Sequence, residues 1–195
     1  MPGVTVKLLI ADDEPSTLFS LCQIFSCRGY HVRGAGDGFS ALKEMRETVP
    51  DILISDLNMP RMSGFELLSV VRRRFPAIYV IAMSAGTSGE GIPEGIAADA
   101  FHNKGAGLAS LFELVNVGNQ AEHLPLRASR KLAPIWIPPV TGRSPDGKQV
   151  FIGCPECLRA FPQALGSKGS FQEINCAHCS TPINYAVVEQ YASTR

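Results

Sequence analysis

The sequence has no surplus of either charge: 18 Lys and Arg offset 18 Asp and Glu across 195 residues. Zero formal net charge argues against a globally basic nucleic-acid binder and leaves only a local patch for such a role. Long apolar runs are lacking too. Stretches such as Ala77 to Met83 reach less than half of the about 20 residues that cross a bilayer, so no membrane contact is expected. Nor does the N-terminus read as a secretory leader. Val4 to Ala11 is short, is broken by Lys7, and runs into Asp12-Asp13-Glu14 where a small-residue cleavage site would stand. The expected location is therefore cytoplasmic, where six cysteines point to thiols or metal ligands rather than disulfides. No internal repeat is evident.

What is present is enough apolar material for a core, at 45% hydrophobic and 18% charged residues. The length suits one to two domains. Over residues 1–118 apolar strand-like runs (4–11, 30–35, 51–55, 77–83 and a short one at 99–102) alternate with helical spacing. Leu18, Leu21, Cys22 and Phe25 share one helical face, Leu42 and Met45 a second, Phe65, Leu68 and Val71 a third, and Leu108, Leu111, Phe112 and Val115 a fourth. Five apolar strands alternating with helices predict an α/β fold with a parallel sheet covered on both faces. Arg72-Arg73-Arg74 reads as a solvated helix end. Cys22 and Cys27 read as ordinary thiols, and His31, His102 and His123 as ordinary polar residues.

In open parallel sheets chemistry sits outside the carboxyl ends of the strands. Asp12 and Asp13 follow the first strand, Asp56 the third, Ser84 the fourth and Lys104 the fifth. In a flavodoxin-like, doubly wound order 2-1-3-4-5, strands one and three are neighbours and the three carboxylates meet. Clustered carboxylates raise one another's pKa unless a cation is present, and a hard cation such as Mg²⁺ suits them. Asp56, alone at a central strand end, is the candidate nucleophile toward phosphorus. Asp12 and Asp13 would hold the metal, while Lys104 and Ser84 would neutralise phosphoryl oxygens.

These residues carry a resemblance. Asp12-Asp13, Asp56-Leu57-Asn58-Met59-Pro60 with Gly64, Ser84-Ala85, and Phe101 three positions before Lys104 make residues 4–118 similar to the receiver domain of two-component response regulators. The resemblance covers about 60% of the chain. It implies phosphorylation of Asp56 by a sensor histidine kinase or phosphotransfer protein. It also implies Mg²⁺ at Asp13, Asp56 and the Asn58 carbonyl, with Asp12 acting through water, and switching through Ser84 and Phe101. Such a protein is a phosphoacceptor and not an enzyme beyond weak self-catalysed phosphotransfer and dephosphorylation. Two departures stand out. Gly105 occupies the place after Lys104 where the family usually has proline, predicting a looser loop. Gly86, Gly89, Gly91, Pro93 and Gly95 predict a short or irregular fourth helix.

Residues 119–148 hold five prolines and five cations without a period, and read as a semi-rigid linker. Ile135-Trp136-Ile137 is too apolar for a solvated linker and is expected to dock on a neighbouring domain. Residues 149–195 are too few to rely on an apolar core alone. They carry Cys154-x₂-Cys157 and Cys176-x₂-Cys179, separated by 18 residues, a strong zinc spacing. Four thiolates saturate Zn²⁺, which favours a structural site over a redox dithiol or an iron–sulfur centre. His178 would assist from outside the tetrahedron. The segment resembles a zinc ribbon, with Phe161 and Phe171 as core positions. Its few cations favour an output protein as partner over nucleic acid. A DNA-binding transcription regulator using ribbon and linker, and a non-phosphorylated scaffold, are the rival readings. Two domains joined by such a linker are expected to be independently stable.

Overall fold

The computed structural model describes residues 5–85, 97–120, 135–137, 149–164 and 172–187. The strands β1 (Lys7–Ala11), β2 (His31–Ala35), β3 (Ile52–Asp56), β4 (Tyr79–Ser84) and β5 (Ala100–Asn103) form one parallel sheet in the order β2-β1-β3-β4-β5. This is the order the sequence predicts. β3 and β4 are buried at every position, as strands covered on both faces must be. Helices α1 (Pro15–Cys27) and α4 (Gly107–Gln120) cover one face, where Phe25, Leu111 and Val115 pack on Ile10, Ile54 and Ile81. Cys22 joins that layer half-buried, and Cys27 is an exposed thiol. Helices α2 (Gly38–Glu47) and α3 (Gly64–Arg74) cover the other. Residues 86–95, where the short fourth helix is expected, lie outside the described residues. No helix among the described residues is long and apolar enough to cross a membrane.

The helix starts are set locally. Pro15 occupies the first turn of α1, and Glu14 accepts the Ser16 N–H. Ser63 and Glu66 form a reciprocal capping box that starts α3. α3 is unusual in being buried along its whole first nine residues, from Gly64 to Arg72. Arg72 is therefore not the solvated helix end expected. It is 4% exposed, pairs with Asp99 and donates to the carbonyls of Pro76 and Ile78 at 3.2 and 3.3 Å. Asp99 also accepts the Val80 N–H at 2.9 Å. His102 is likewise buried, 3.1 Å from the Ser110 hydroxyl, and burial lowers its pKa.

The C-terminal segment explains the burial of α3. β7 (Gln149–Gly153) pairs antiparallel with β8 (Ala160–Ala164). β6 (Ile135–Ile137), β10 (Pro182–Val187) and β9 (Gln172–Asn175) form a second small sheet, β10 central. The Ile135-Trp136-Ile137 triplet is thus a strand, parallel to β10 and packed against α3. Ile135, Ile152, Leu158, Phe161, Ile183 and Tyr185 share one apolar cluster with Leu42, Met62 and Val70. The expectation of two independent bodies therefore gives way to a joint core among the described residues. Phe161 is a core position as expected, whereas Phe171 lies outside the described residues.

Candidate functional site

β1 and β3 run side by side with Ala11 opposite Ser55, so the residues that follow them emerge together. Asp12 and Asp56 are buried and Asp13 is exposed, and their carboxylate oxygens lie within 4.8 Å of one another. Lys104 comes in from the end of β5. Its Nζ stands 2.5 Å from Asp56 Oδ2 and 2.9 Å from Asp12 Oδ2. Burial opposes the lysine charge, but hydrogen bonds and charges from Asp56 and Asp12 outweigh it and hold the ammonium above its usual pKa. Burial, with the charges of Asp56 and Asp12, holds the Asp13 carboxyl above its ordinary range. Among the described residues, the Lys104 ammonium at 2.9 Å is the one cation against the buried Asp12 Oδ2. Three carboxylates facing one lysine remain under-compensated, and a hard divalent cation fits that donor set.

The loop after β3 holds the second half of this site. The Asn58 N–H donates to Asp56 Oδ1 at 3.1 Å, and the Asn58 amide reaches the Ser84 hydroxyl at 3.5 Å. The Leu57 N–H donates to Met83 O, and the Gly64 N–H to Leu57 O. A Cβ on Gly64 would lie 2.0 Å from the Asp56 carbonyl oxygen, so only glycine lets α3 approach so closely. Phe101 is half-buried against the α2–α3 side of the core. Lys104–Ala106 form a 3₁₀ turn in which Gly105 N donates to Asn103 Oδ1 at 2.9 Å. Gly105 thus sits in a turn capped by the Asn103 side chain, a residue that the sequence motifs do not mark.

The four cysteines of the C-terminal segment converge as their spacing predicts. Their sulfurs lie within 4.8 Å of one another, with Cys154–Cys179 at 3.6 Å and Cys157–Cys176 at 3.8 Å, and all four are free thiols. A tetrahedron with metal–sulfur bonds of about 2.3 Å has edges of about 3.8 Å, so the site has the dimensions of a tetrathiolate zinc centre. The two turns that present the sulfurs repeat one design. Leu158 N donates to Cys154 O and Ser180 N to Cys176 O, and Leu158 and Ser180 both take positive φ, 55° and 60°. The backbone N–H of His178 donates to Cys176 Sγ at 3.4 Å. Its ring instead faces Ala160 O, at 3.1 Å from Nε2, and is not placed as a ligand. Burial pushes the Cys154 thiol up. Contacts with the Thr181 hydroxyl and N–H bring the exposed Cys179 thiol down to about 6. Thr181 is a supporting residue with no signal in the cysteine spacing.

Comparison with known proteins identifies the part of the chain that holds the first of these sites. Residues 8–112, just over half of the chain, match the response regulator receiver domain family. The chain is 32% identical over 83 residues to the probable transcriptional regulatory protein TcrX of Mycobacterium tuberculosis, covering 43% of this chain and 36% of that protein. It therefore spans about a third of that relative's length. The chemotaxis protein CheY4 of Vibrio cholerae superposes with a TM-score of 0.54 at 29% identity, covering 58% of this chain and 98% of its own. Response regulator protein TrrA of Thermotoga maritima, solved with Mg²⁺ and BeF, superposes with a TM-score of 0.54 at 27% identity, covering 58% of this chain and 99% of its own. The family match ends at residue 112, ahead of the four-cysteine cluster.

Proposed function

The chain belongs to the response regulator receiver domain family, and from that premise we propose that it is a phosphorelay response regulator whose Asp56 accepts a phosphoryl group from a sensor histidine kinase or phosphotransfer protein. The observation that carries this reading is the Lys104 ammonium held between Asp56 and Asp12 at adjacent strand ends. An Asp56 carboxylate oxygen attacks phosphorus. The new P–O bond forms as the bond from phosphorus to the donor's imidazole nitrogen breaks, and that nitrogen keeps the electron pair. Lys104 and the Ser84 hydroxyl then hold phosphoryl oxygens, and Phe101 follows Ser84 as the switch. Asp13, Asp56 and the Asn58 carbonyl would bind Mg²⁺, with Asp12 acting through water. The ion would supply charge neutralisation on the phosphoryl group. The Mg²⁺ in the TrrA structure supports that assignment.

The C-terminal segment, a ribbon stapled by Zn²⁺ on Cys154, Cys157, Cys176 and Cys179, is the output element and acts through protein contacts. Its packing suggests how it reads the receiver. Met62, in the loop between β3 and α3, is fully buried, and a Cβ on Gly153 of β7 would lie 2.7 Å from its Cε. A rearrangement of the Asp56–Ser63 loop on phosphorylation therefore presses directly on the ribbon. Incubation with Mg²⁺ and a small acyl-phosphate donor should add one phosphoryl group, labile to hydroxylamine, by intact mass. Asp56→Asn should abolish it, and undiminished labelling of that variant would refute the assignment.

A further inference from the structure

Phe39, Lys43 and Arg46 stand at i, i+4 and i+7 of α2, one stripe of the helix. Across from them stand Phe151 on β7 and Leu158-Arg159 after the first cysteine turn. Between the two sides lies a cleft of about 520 Å³. Its floor is apolar. Phe39 and Phe151 meet edge to face at 5.9 Å and 78°, and Leu158 is buried beside them. Its rim is cationic. Lys43, Arg46 and Arg159 are exposed, and no acidic side chain among the described residues lines the cleft. His178 closes one end, its Nε2 held at Ala160 O. The receiver supplies one aromatic ring and two cations and the C-terminal segment one ring and one cation, so the cleft forms where the two are docked.

We propose that this cleft binds a free mononucleotide, its base against the Phe39–Phe151 corner and its phosphate among Lys43, Arg46 and Arg159. The volume falls within the roughly 300–1,000 Å³ of small-molecule sites, which pair an apolar lining with a few placed polar groups. An aromatic surface next to cations is the combination that holds a base and its phosphate. A nucleic-acid strand would need the cations to continue as a track. Among the described residues of the C-terminal segment, Arg159 is the one Lys or Arg, which with Lys43 and Arg46 matches one phosphate rather than a track. The inference goes beyond phosphoacceptance and does not depend on it.

The test is isothermal titration of the full chain at low salt with GMP and AMP, against their nucleosides, inorganic phosphate and a short single-stranded oligonucleotide. A nucleotide should bind on the order of tenfold or more tighter than nucleoside or phosphate alone. Lys43→Glu and Arg159→Glu, one exposed residue from each side, should each weaken it about tenfold while the amide spectrum of the fold is retained. Shifts in that spectrum on titration should map to Phe39, Phe151 and Leu158. Binding no tighter than phosphate alone, indifference to both charge reversals, or shifts elsewhere would overturn the proposal. An oligonucleotide that outcompetes the mononucleotides would also overturn it, in favour of a strand.

Discussion

A Cβ on residue 64 would lie 2.0 Å from the Asp56 carbonyl oxygen and 2.7 Å from Leu57 Cα. Both are backbone atoms where β3 passes into the following loop, at the proposed phosphoacceptor, so neither can yield without moving Asp56. Gly64→Ala is therefore expected to cost about 3 kcal/mol, the upper part of the ordinary overpacking range. It should also cut acyl-phosphate labelling of Asp56 by about tenfold. Denaturant midpoints and intact mass read the two effects, and a variant matching the parent in both would contradict the account. The acidic residues themselves were legible, because carboxylates at the ends of apolar runs stand out against a chain of 18% charge. Arg72 was not. Its partner Asp99 lies 27 positions on, and a run of three arginines at a helix end looks the same whether its first member is solvated or buried.

The strands of the large sheet, and the turns that bring the cysteines together, followed from period and spacing, whereas the strand order came with the flavodoxin-like fold they imply. β8 escaped because Pro162 sits inside it. Among the described residues the strand pairs with β7 alone, and an edge strand tolerates a residue with no N–H. α3 carried a signal that one-sided periodicity overlooks. Phe65, Leu67, Leu68, Val70 and Val71 spread over more of the helix than one stripe, and the polar Glu66, Ser69 and Arg72 between them are buried as well, so a second layer must cover the side away from the sheet. The C-terminal segment, through β6 and β7, covers the face the sheet does not. Val70 Cγ2 would be 3.3 Å, and Met62 Cε 2.7 Å, from a Cβ on Gly153. Gly153→Val should drive β7 away from α3 at a cost of about 1–3 kcal/mol. Accessibility of the α3 backbone to hydrogen exchange should rise with it. Unchanged protection along α3 would show that β7 does not seal that face.

At the scale of the whole molecule, a proline-rich connector suggested two units with separate stabilities, and the joint core says otherwise. The connector's composition reports on its own stiffness and carries no information about whether the ends it joins find each other. Zinc removal should thus unfold the ribbon, as the small size of the segment demands. It should also lower receiver stability by a few kcal/mol, because Val70 and Met62 lose their cover. Melting of receiver amide signals with and without a chelator checks this, and an unshifted receiver midpoint would restore the picture of independent units. The central claim is that phosphorylation of Asp56 is read by the ribbon through the loop that contains Met62. Hydrogen exchange measured by mass spectrometry on the full chain, with and without Mg²⁺ and an acyl-phosphate donor, tests it most directly. The account predicts altered exchange at residues 57–65 and also at residues 149–158, both absent in Asp56→Asn. Exchange that changes around Ser84 and Lys104 while residues 149–158 stay the same in both states would contradict it.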